Sequence, residues 1–316
     1  MAGFRHGRGH TMRMGVDIGG TKTEAVAVAD DDGGVVGSVR LPTGFGPDAV
    51  IASSVAAVTA LAEATGLGIA DFATVGVGIP GAVDAASGRV SHALNLGLDE
   101  LALGAELAAR LGTPVRVEND VNAAALGAFH LFEQPATASM SYLNLGTGLA
   151  AGLVLRGELW RGARGGAGEI GHILVDPAGP LDLDGQHGGL EVMASGSGIA
   201  RQWGRGNGNA VSAVLDAAES GDTEALEIRR RLYEGVAASV RILVLTVDVD
   251  LVVIGGGISG LGDRVMGGVR DIFDAWGAQS PFIHSLGLGE RVRLLPAGAP
   301  VAALGAAHLG GISWPK

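Results

Sequence analysis

Asp17-Ile18-Gly19-Gly20-Thr21-Lys22-Thr23 gathers a carboxylate, paired glycines and two hydroxyls in one short run. It follows the apolar Met14-Gly15-Val16 and leads into Ala25-Val26-Ala27-Val28-Ala29, so it reads as strand, glycine turn, returning strand. Glycines without a Cβ let the backbone turn tightly and approach a ligand closely. Backbone amides and the Thr21 and Thr23 hydroxyls then offer donors to phosphate oxygens. Asp17 stands where it could hold hydrated Mg²⁺ through water, since that ion keeps its waters and prefers one or two carboxylates plus phosphates. The same run also reads as a plain hairpin turn, and partners elsewhere in the chain must decide.

A second copy of the plan follows. Asn144-Leu145-Gly146-Thr147-Gly148 leads into Leu149-Ala150-Ala151-Gly152-Leu153-Val154-Leu155, again strand, Gly-Thr turn, strand. The offset between the copies is about the size of a domain, which favours duplication over chance recurrence in a glycine-rich chain. Two such turns could grip one phosphate chain. A third turn, Gly255-Gly256-Gly257, follows the apolar strand Leu251-Val252-Val253-Ile254 and precedes a helix; it could lie against an adenine ring or a phosphate. No strand–G-x-G-x-x-G–helix unit with an acidic ribose partner accompanies it.

The elements that must position these groups are legible only coarsely. Hydrophobic residues make up 47% of the 316 residues, enough for a sizeable core, and aromatics only 4%, so Ala, Val, Leu and Gly carry the packing. The 55 glycines follow no collagen-like period and imply many tight turns in an α/β protein. Helices are expected near 47–65, 100–111, 121–131, 222–245, 261–275 and 300–309. Strands are expected near 73–79, 114–117, 140–145, 149–156, 251–254 and 291–295. Alternation of this kind implies mixed sheets covered by helices. The uncharged stretch from Gln134 to Leu155 could suggest a membrane span, but Asn144 and its glycines argue for two buried strands around a turn.

Charge and composition exclude several classes. The net charge is −11 and no basic tract appears, which disfavours a nucleic-acid partner. With no cysteine there is no thiol nucleophile, disulfide framework or iron–sulfur site. Residues 1–13 carry Arg5, His6, Arg8, His10 and Arg13 without an apolar segment, so they read as a flexible leader and not a signal peptide. No membrane partner and a cytoplasmic location are expected.

Glu118-Asn119-Asp120 follows the β-branched Val115 and Val117 and precedes an Ala-rich helix. A carboxylate there can take the proton of an alcohol nucleophile; it can also serve as a helix N-cap, a role that Asn119 beside it can fill instead.

With these residues in order, the chain resembles the ROK family of sugar kinases, within the actin-like ATPase superfamily that includes hexokinases. The matching segments are Asp17-Ile18-Gly19-Gly20-Thr21-Lys22, Gly78-Ile79-Pro80-Gly81, Glu118-Asn119-Asp120-Val121-Asn122-Ala123-Ala124, Leu145-Gly146-Thr147-Gly148, Gly168-Glu169-Ile170-Gly171-His172, Leu190-Glu191 and Ile254-Gly255-Gly256-Gly257. They span nearly the whole chain. The resemblance implies an α/β fold of two RNase H-like domains with a cleft between them: a small one of residues 14–119 plus 299–316, and a large one of residues 120–298. It implies ATP and Mg²⁺ as cofactors and transfer of the γ-phosphoryl group to a hexose, usually at the 6-OH.

Asp120 matches the family's catalytic base. Gly81, Asn95, Asn119, Glu169, His172 and Glu191 match sugar-binding positions, with Asn95 also readable as a turn residue and Glu169 and His172 as a surface loop pair. Asp17, Gly19, Gly20, Thr21, Lys22, Gly146, Thr147, Gly148 and Gly255 to Gly257 match the nucleotide-binding turns. Glucose stands first as substrate, ahead of mannose, fructose or an N-acetylhexosamine. Polyphosphate is an alternative donor, and a sugar-sensing regulator or a silent sugar binder are alternative functions. A homodimer is implied.

The resemblance breaks in one place. Members of the family carry a loop of the type Cys-x-Cys-x-x-x-x-Cys-x-Glu that binds structural zinc. Here Asp182, Asp184 and Gly189 stand at the cysteine positions, so no zinc site is expected. His172, His187, Asp182 and Asp184 offer donors to a harder metal, or form an ordinary solvated turn. Packing and hydrogen bonds must then hold His172 and Glu191.

Overall fold

The computed structural model describes residues 12–30, 33–206 and 209–311. The expected leader lies outside these residues except at its end, where Met12 and Arg13 already belong to the first strand. The chain divides into two compact units. Unit 1 comprises Met1–Pro135, Arg161–Gly165 and Pro300–Lys316; unit 2 comprises Ala136–Trp160 and Gly166–Ala299.

Unit 1 begins with β1 (Met12–Ile18), β2 (Lys22–Ala29), β3 (Val35–Pro42), α1 (Pro47–Thr65) and β4 (Phe72–Ile79). Three short strands follow, β5 (Ala82–Asp84), β6 (Arg89–Ala93) and β7 (Leu98–Leu101), then α2 (Leu103–Leu111), β8 (Val115–Asn119) and α3 (Asp120–Leu131). Unit 2 holds β9 (Met140–Leu145), β10 (Leu149–Leu155), β11 (Glu158–Trp160), α4 (Leu190–Ala194), α5 (Gly196–Trp203), α6 (Ala210–Glu219) and α7 (Thr223–Val247). It continues through β12 (Leu251–Gly255), α8 (Asp263–Gln279), α9 (Pro281–Ser285) and β13 (Val292–Leu294); α10 (Val301–His308) then returns the chain to unit 1.

The duplication read from the two hairpins extends to whole sheets. Unit 1 orders its main sheet β3-β2-β1-β4-β8, and unit 2 orders its own β11-β10-β9-β12-β13. In both, an antiparallel hairpin joins a parallel strand: β1 pairs β2 antiparallel and β4 parallel, as β9 pairs β10 and β12. The uncharged stretch read as two buried strands is β9 and β10.

Local sequence explains the helices that frame the site. α1 starts with Pro at its first turn, where a missing N–H costs nothing, and ends at Gly66, whose φ of 71° suits the left-handed cap. By length and composition α1 could cross a membrane; here Val50, Ile51, Ser54, Ala57, Val58, Leu61 and Ala62 form its buried face in the core of unit 1. α3 is Ala-rich and almost wholly buried after its first turn. It crosses α10 in backbone contact. A Cβ at Gly305 would stand 1.7 Å from the Ala123 carbonyl oxygen, and one at Gly127 would stand 1.9 Å from that of Val301. Only glycine permits that approach. The boundary of unit 1 therefore falls after Pro135 and not at residue 120, because α3 packs on α10 within it.

The sheet β5-β6-β7 has no counterpart among the expected elements. Its strands are too short for an alternating pattern to stand out, and β7 takes residues expected at the start of the 100–111 helix.

Candidate functional site

In unit 1 the groups with chemistry collect at the carboxyl ends of the parallel strands, the usual ligand-binding edge of such sheets. Asp17 on β1 lies in register with Gly78 on β4, and Gly78 in register with Glu118 on β8. The next residues along β8 are Asn119 and then Asp120, the first residue of α3. Asp17 is half-buried. Its carboxyl is raised to about 7, first by burial, then by the Asp120 charge and more weakly by Glu24. Two carboxylates in one poorly solvated place cannot both ionise cheaply. A hydrated divalent cation suits such a pair, and the residues present fit Mg²⁺ held through water.

Asn119 caps α3. Its Oδ1 accepts from the Val121 and Asn122 amides at 2.9 and 3.2 Å, satisfying helix donors that have no partner within the helix. Its Nδ2 donates to the Gly81 carbonyl at 3.2 Å, which leaves one amide hydrogen for a ligand. Asp120 Oδ1 accepts from the Val121 amide at 2.9 Å. The cap is thus supplied by Asn119. Gly81 holds φ at 104° beside Ser91 and Ala93 of β6, a conformation that favours glycine. Asn95 is exposed, with its Nδ2 3.4 Å from where a Cβ on Gly20 would stand.

The first hairpin turn is partly self-satisfied. The Gly19 amide donates to the Lys22 carbonyl at 2.9 Å, so it closes the turn. Gly20, Thr21 and Lys22 are exposed. Thr23 departs from expectation: it is 0% exposed, and its hydroxyl lies 3.0 Å from that of Thr43. Thr43 in turn donates to the Gly19 carbonyl at 2.7 Å. The alternation along β2 turns Thr23 inward, where it braces the turn and does not face a phosphate.

In unit 2 a cavity of about 530 Å³, within the usual range for small-molecule sites, is lined by Gly146, Thr147, Gly196, Ser197, Asn209, Val211, Gly257, Ile258 and Leu261. Hydrogen bonds stitch its floor. The Gly196 and Ser197 amides donate to the Gly146 and Thr147 carbonyls at 2.8 and 3.0 Å, and the Ser197 hydroxyl donates to the Thr147 carbonyl at 2.8 Å. Asn209 caps α6. The three glycines after β12 part company. Gly257 lines the cavity, and Gly256 turns the chain at φ 83°. Gly255 is buried against Tyr142, where a Cβ would lie 2.2 Å from the phenol oxygen, so it serves packing.

Glu169 and His172 flank a short turn on a loop pressed onto β10. A Cβ at Gly168 would sit 1.8 Å from the Ala151 carbonyl oxygen, and one at Gly171 would sit 2.3 Å from that of Leu149. Glu169 is exposed, and the His172 side chain is 69% exposed, with Nδ1 3.6 Å from Asp184. Glu191 stands in the first turn of α4, and its Oε2 accepts from the Leu149 amide at 3.0 Å beside Gly148, so it also anchors the second hairpin.

Residues 173–189 are held by main-chain and Asp contacts. Leu174 bridges Gly189, and Leu181 bridges His187. Asp182 Oδ1 accepts from the Asp184 and Gln186 amides at 2.9 and 2.7 Å, and His187 Nδ1 lies 2.8 Å from the Gly179 carbonyl oxygen. Among the described residues no group of three or more His, Cys, Asp or Glu is placed to hold a metal ion.

Sequence reasoning missed the far walls of the cavity and one charged pair. Ser195-Gly196-Ser197-Gly198 and Asn209 carry a signal that could have been read, a capping residue before a helix. Arg161, which pairs with Glu118 at 2.6 Å, carries none, because the two lie far apart in the sequence.

Comparison with known proteins supplies the rest. The ROK family matches residues 13–309. A glucokinase of Streptomyces coelicolor is 31% identical over 284 residues, covering 84% of this chain and 88% of its own length. An N-acetylmannosamine kinase of Citrobacter koseri is 32% identical over 278 residues, covering 87% and 91%. Among solved structures, a ROK family glucokinase from Streptomyces griseus in complex with glucose and AMPPNP superimposes with a TM-score of 0.72 at 31% identity, covering 95% of this chain and 99% of its own.

Proposed function

The chain belongs to the ROK family and is a sugar kinase, and from that premise we propose that it phosphorylates a hexose, glucose first, at the 6-OH with ATP as donor. The observation that carries the reading is the placing of Asp120 at the start of α3, next to the sheet edge that bears Asp17, whose carboxyl is raised to about 7 first by burial and then by the Asp120 charge.

Asp120 accepts the proton of the sugar hydroxyl as that oxygen bonds to the γ-phosphorus. The bond from the γ-phosphorus to the β,γ-bridging oxygen breaks, and ADP leaves with its electron pair. A positioned carboxylate contributes roughly 10²–10⁴-fold to such a step. Asn119 offers its free amide hydrogen to a sugar hydroxyl while its carbonyl stays committed to the helix cap. In this reading unit 1 contributes Asn95 and Gly81 as sugar ligands and Gly20, Thr21 and Lys22 as phosphate donors; unit 2 contributes Glu169, His172 and Glu191 as sugar ligands and Thr147 and Gly148 as phosphate donors. The apolar side chains of Val211, Ile258 and Leu261 suit one face of a base, with Asn209 and Ser197 as polar neighbours. Mg²⁺ held at Asp17 would neutralise phosphate charge.

A coupled ADP-release assay over a hexose panel tests the proposal, with Asp120→Asn expected to lose about 10²–10⁴-fold in kcat while still binding sugar. No turnover with any hexose would remove the enzyme claim. The panel includes N-acetylmannosamine and N-acetylglucosamine, because relatives carrying those activities are as similar to this chain as the glucokinases are. Polyphosphate replaces ATP in one arm. The family resemblance suggests a cytoplasmic homodimer, which light scattering checks for assembly.

A further inference from the structure

Beneath Asn119 and Asp120 lies a buried charge that the proposed reaction leaves without a role. Glu118 is 2% exposed, and its partner Arg161 is 16% exposed. Each oxygen of the carboxylate has its own work. Oε2 accepts from Arg161 Nε at 2.6 Å. Oε1 accepts from the Asn119 backbone amide at 3.0 Å and from Asn122 Nδ2 at 3.0 Å. Glu118 therefore grips the residue that caps α3, the first turn of α3 and a segment distant in sequence. That segment is a brief excursion: the chain leaves unit 2 after Trp160, contributes Arg161–Gly165 to unit 1 and returns at Gly166.

Burying two charges is a poor way to gain stability, because the loss of hydration offsets most of the attraction and an apolar pair of similar volume does as well or better. What a buried, multiply bonded carboxylate does give is direction. Glu118 cannot rotate without releasing Arg161, the Asn119 amide and Asn122 together. The carboxylate that follows two residues later is fixed by the same junction of β8 and α3. The planar guanidinium offers its donors in a rigid fork, which an ammonium does not.

We propose that Glu118 and Arg161 are positioning residues: their ion pair sets the direction in which the start of α3 presents Asp120 and Asn119 to the acceptor sugar. The proposal rests on Asp120 being the base. Neither side chain transfers a proton. Their effect falls on kcat, because a misplacement of about 1 Å in a reacting group costs on the order of 10²-fold in rate.

The test measures kcat, KM for both substrates and thermal midpoint for Glu118→Gln, Arg161→Met, Arg161→Lys and the double variant Glu118→Gln/Arg161→Met, with Asp120→Asn alongside. The expected result is a fall in kcat of about 10²-fold in Glu118→Gln and Arg161→Met, with KM for ATP unchanged. Arg161→Lys recovers part of the loss, and the double variant is no slower than the worse single, as for two residues that act as one. If Arg161→Met fails to fold, the near-isosteric Glu118→Gln and the charge-keeping Arg161→Lys still give the split. Unchanged kcat in folded Glu118→Gln and in the Arg161 variants, with only the thermal midpoint lowered, overturns the inference and leaves a structural staple. That outcome with Asp120→Asn inactive sinks this inference alone; full turnover in Asp120→Asn sinks the base assignment and this inference with it.

Discussion

The hairpin after β1 and the hairpin after β9 stand in sheets of the same strand order, yet they carry different charges. Asp17 and Asn144 fill matching places. Asp17 is in register with Gly78 of the neighbouring parallel strand, and Asn144 with Gly255 of its own. One copy keeps a carboxyl, raised to about 7, beside a second carboxylate; the other keeps a neutral amide two residues before Gly146, which lines a cavity. In the proposed reaction the two copies would divide the work: unit 1, with its paired carboxylates, would serve the cation and the proton, and unit 2, with its polar turn and apolar walls, the nucleotide.

The most drastic way to break this comparison is to make the first hairpin resemble the second. Asp17→Asn should lower kcat by about 10²-fold or more, the scale seen when one preorganised electrostatic group is removed. The reciprocal Asn144→Asp should cost far less. Steady-state rates at saturating Mg²⁺ and ATP check both, and equal losses would dissolve the contrast.

The same substitution should improve the unliganded fold, and the sign follows from linkage. A carboxyl whose folded value lies near 7 and whose unfolded value is 3.8 binds its proton more tightly when folded. Its favourable contribution is fully present below pH 3.8 and is lost as pH rises to 7, at most about 4 kcal/mol at 1.36 kcal/mol per unit. Urea unfolding at pH 5 and pH 8 without Mg²⁺ should show this decline in the parent and a flatter profile in Asp17→Asn.

One glycine from each unit sharpens the contrast further. Gly305→Ala forces a Cβ to within 1.7 Å of the Ala123 carbonyl oxygen and should destabilise unit 1 by about 1–3 kcal/mol or more, read by denaturant midpoint. Gly257→Ala meets open space and should leave stability unchanged. The smallest effect is expected at the hydroxyls. Thr23→Val should cost about 1 kcal/mol through its lost hydrogen bond and leave KM for ATP alone. Thr147→Val, on the cavity wall, should raise that KM with little loss of stability.

Much of this was legible because it is local. α1 runs over Pro47–Thr65, the span that its periodicity and its flanking glycines mark. The duplicated hairpins reported a duplicated sheet, since a glycine turn between apolar runs has few other solutions. Thr23 does not serve a phosphate as its hydroxyl suggests: it stands between the charged Lys22 and Glu24, and the alternation along β2 that keeps those two toward solvent turns Thr23 inward. The cavity walls at Ser197 and Asn209 and the Glu118–Arg161 pair depend on chain segments meeting across the fold, which no local pattern records. The replacement for the family's cysteine loop was legible as a loss, but its substance, Asp182 gathering two amides, needed coordinates.

The glycine-lined seam between α3 and α10 has a consequence for how the molecule is made. The helix that completes the core of unit 1 emerges from the ribosome only after all of unit 2, some three hundred residues behind the strand it covers at Gly15. Unit 2 can close on itself during synthesis, whereas β1, β4 and α3 must wait with a bare apolar groove. The group proposed to take the sugar's proton is therefore among the last parts of the protein to acquire its final surroundings.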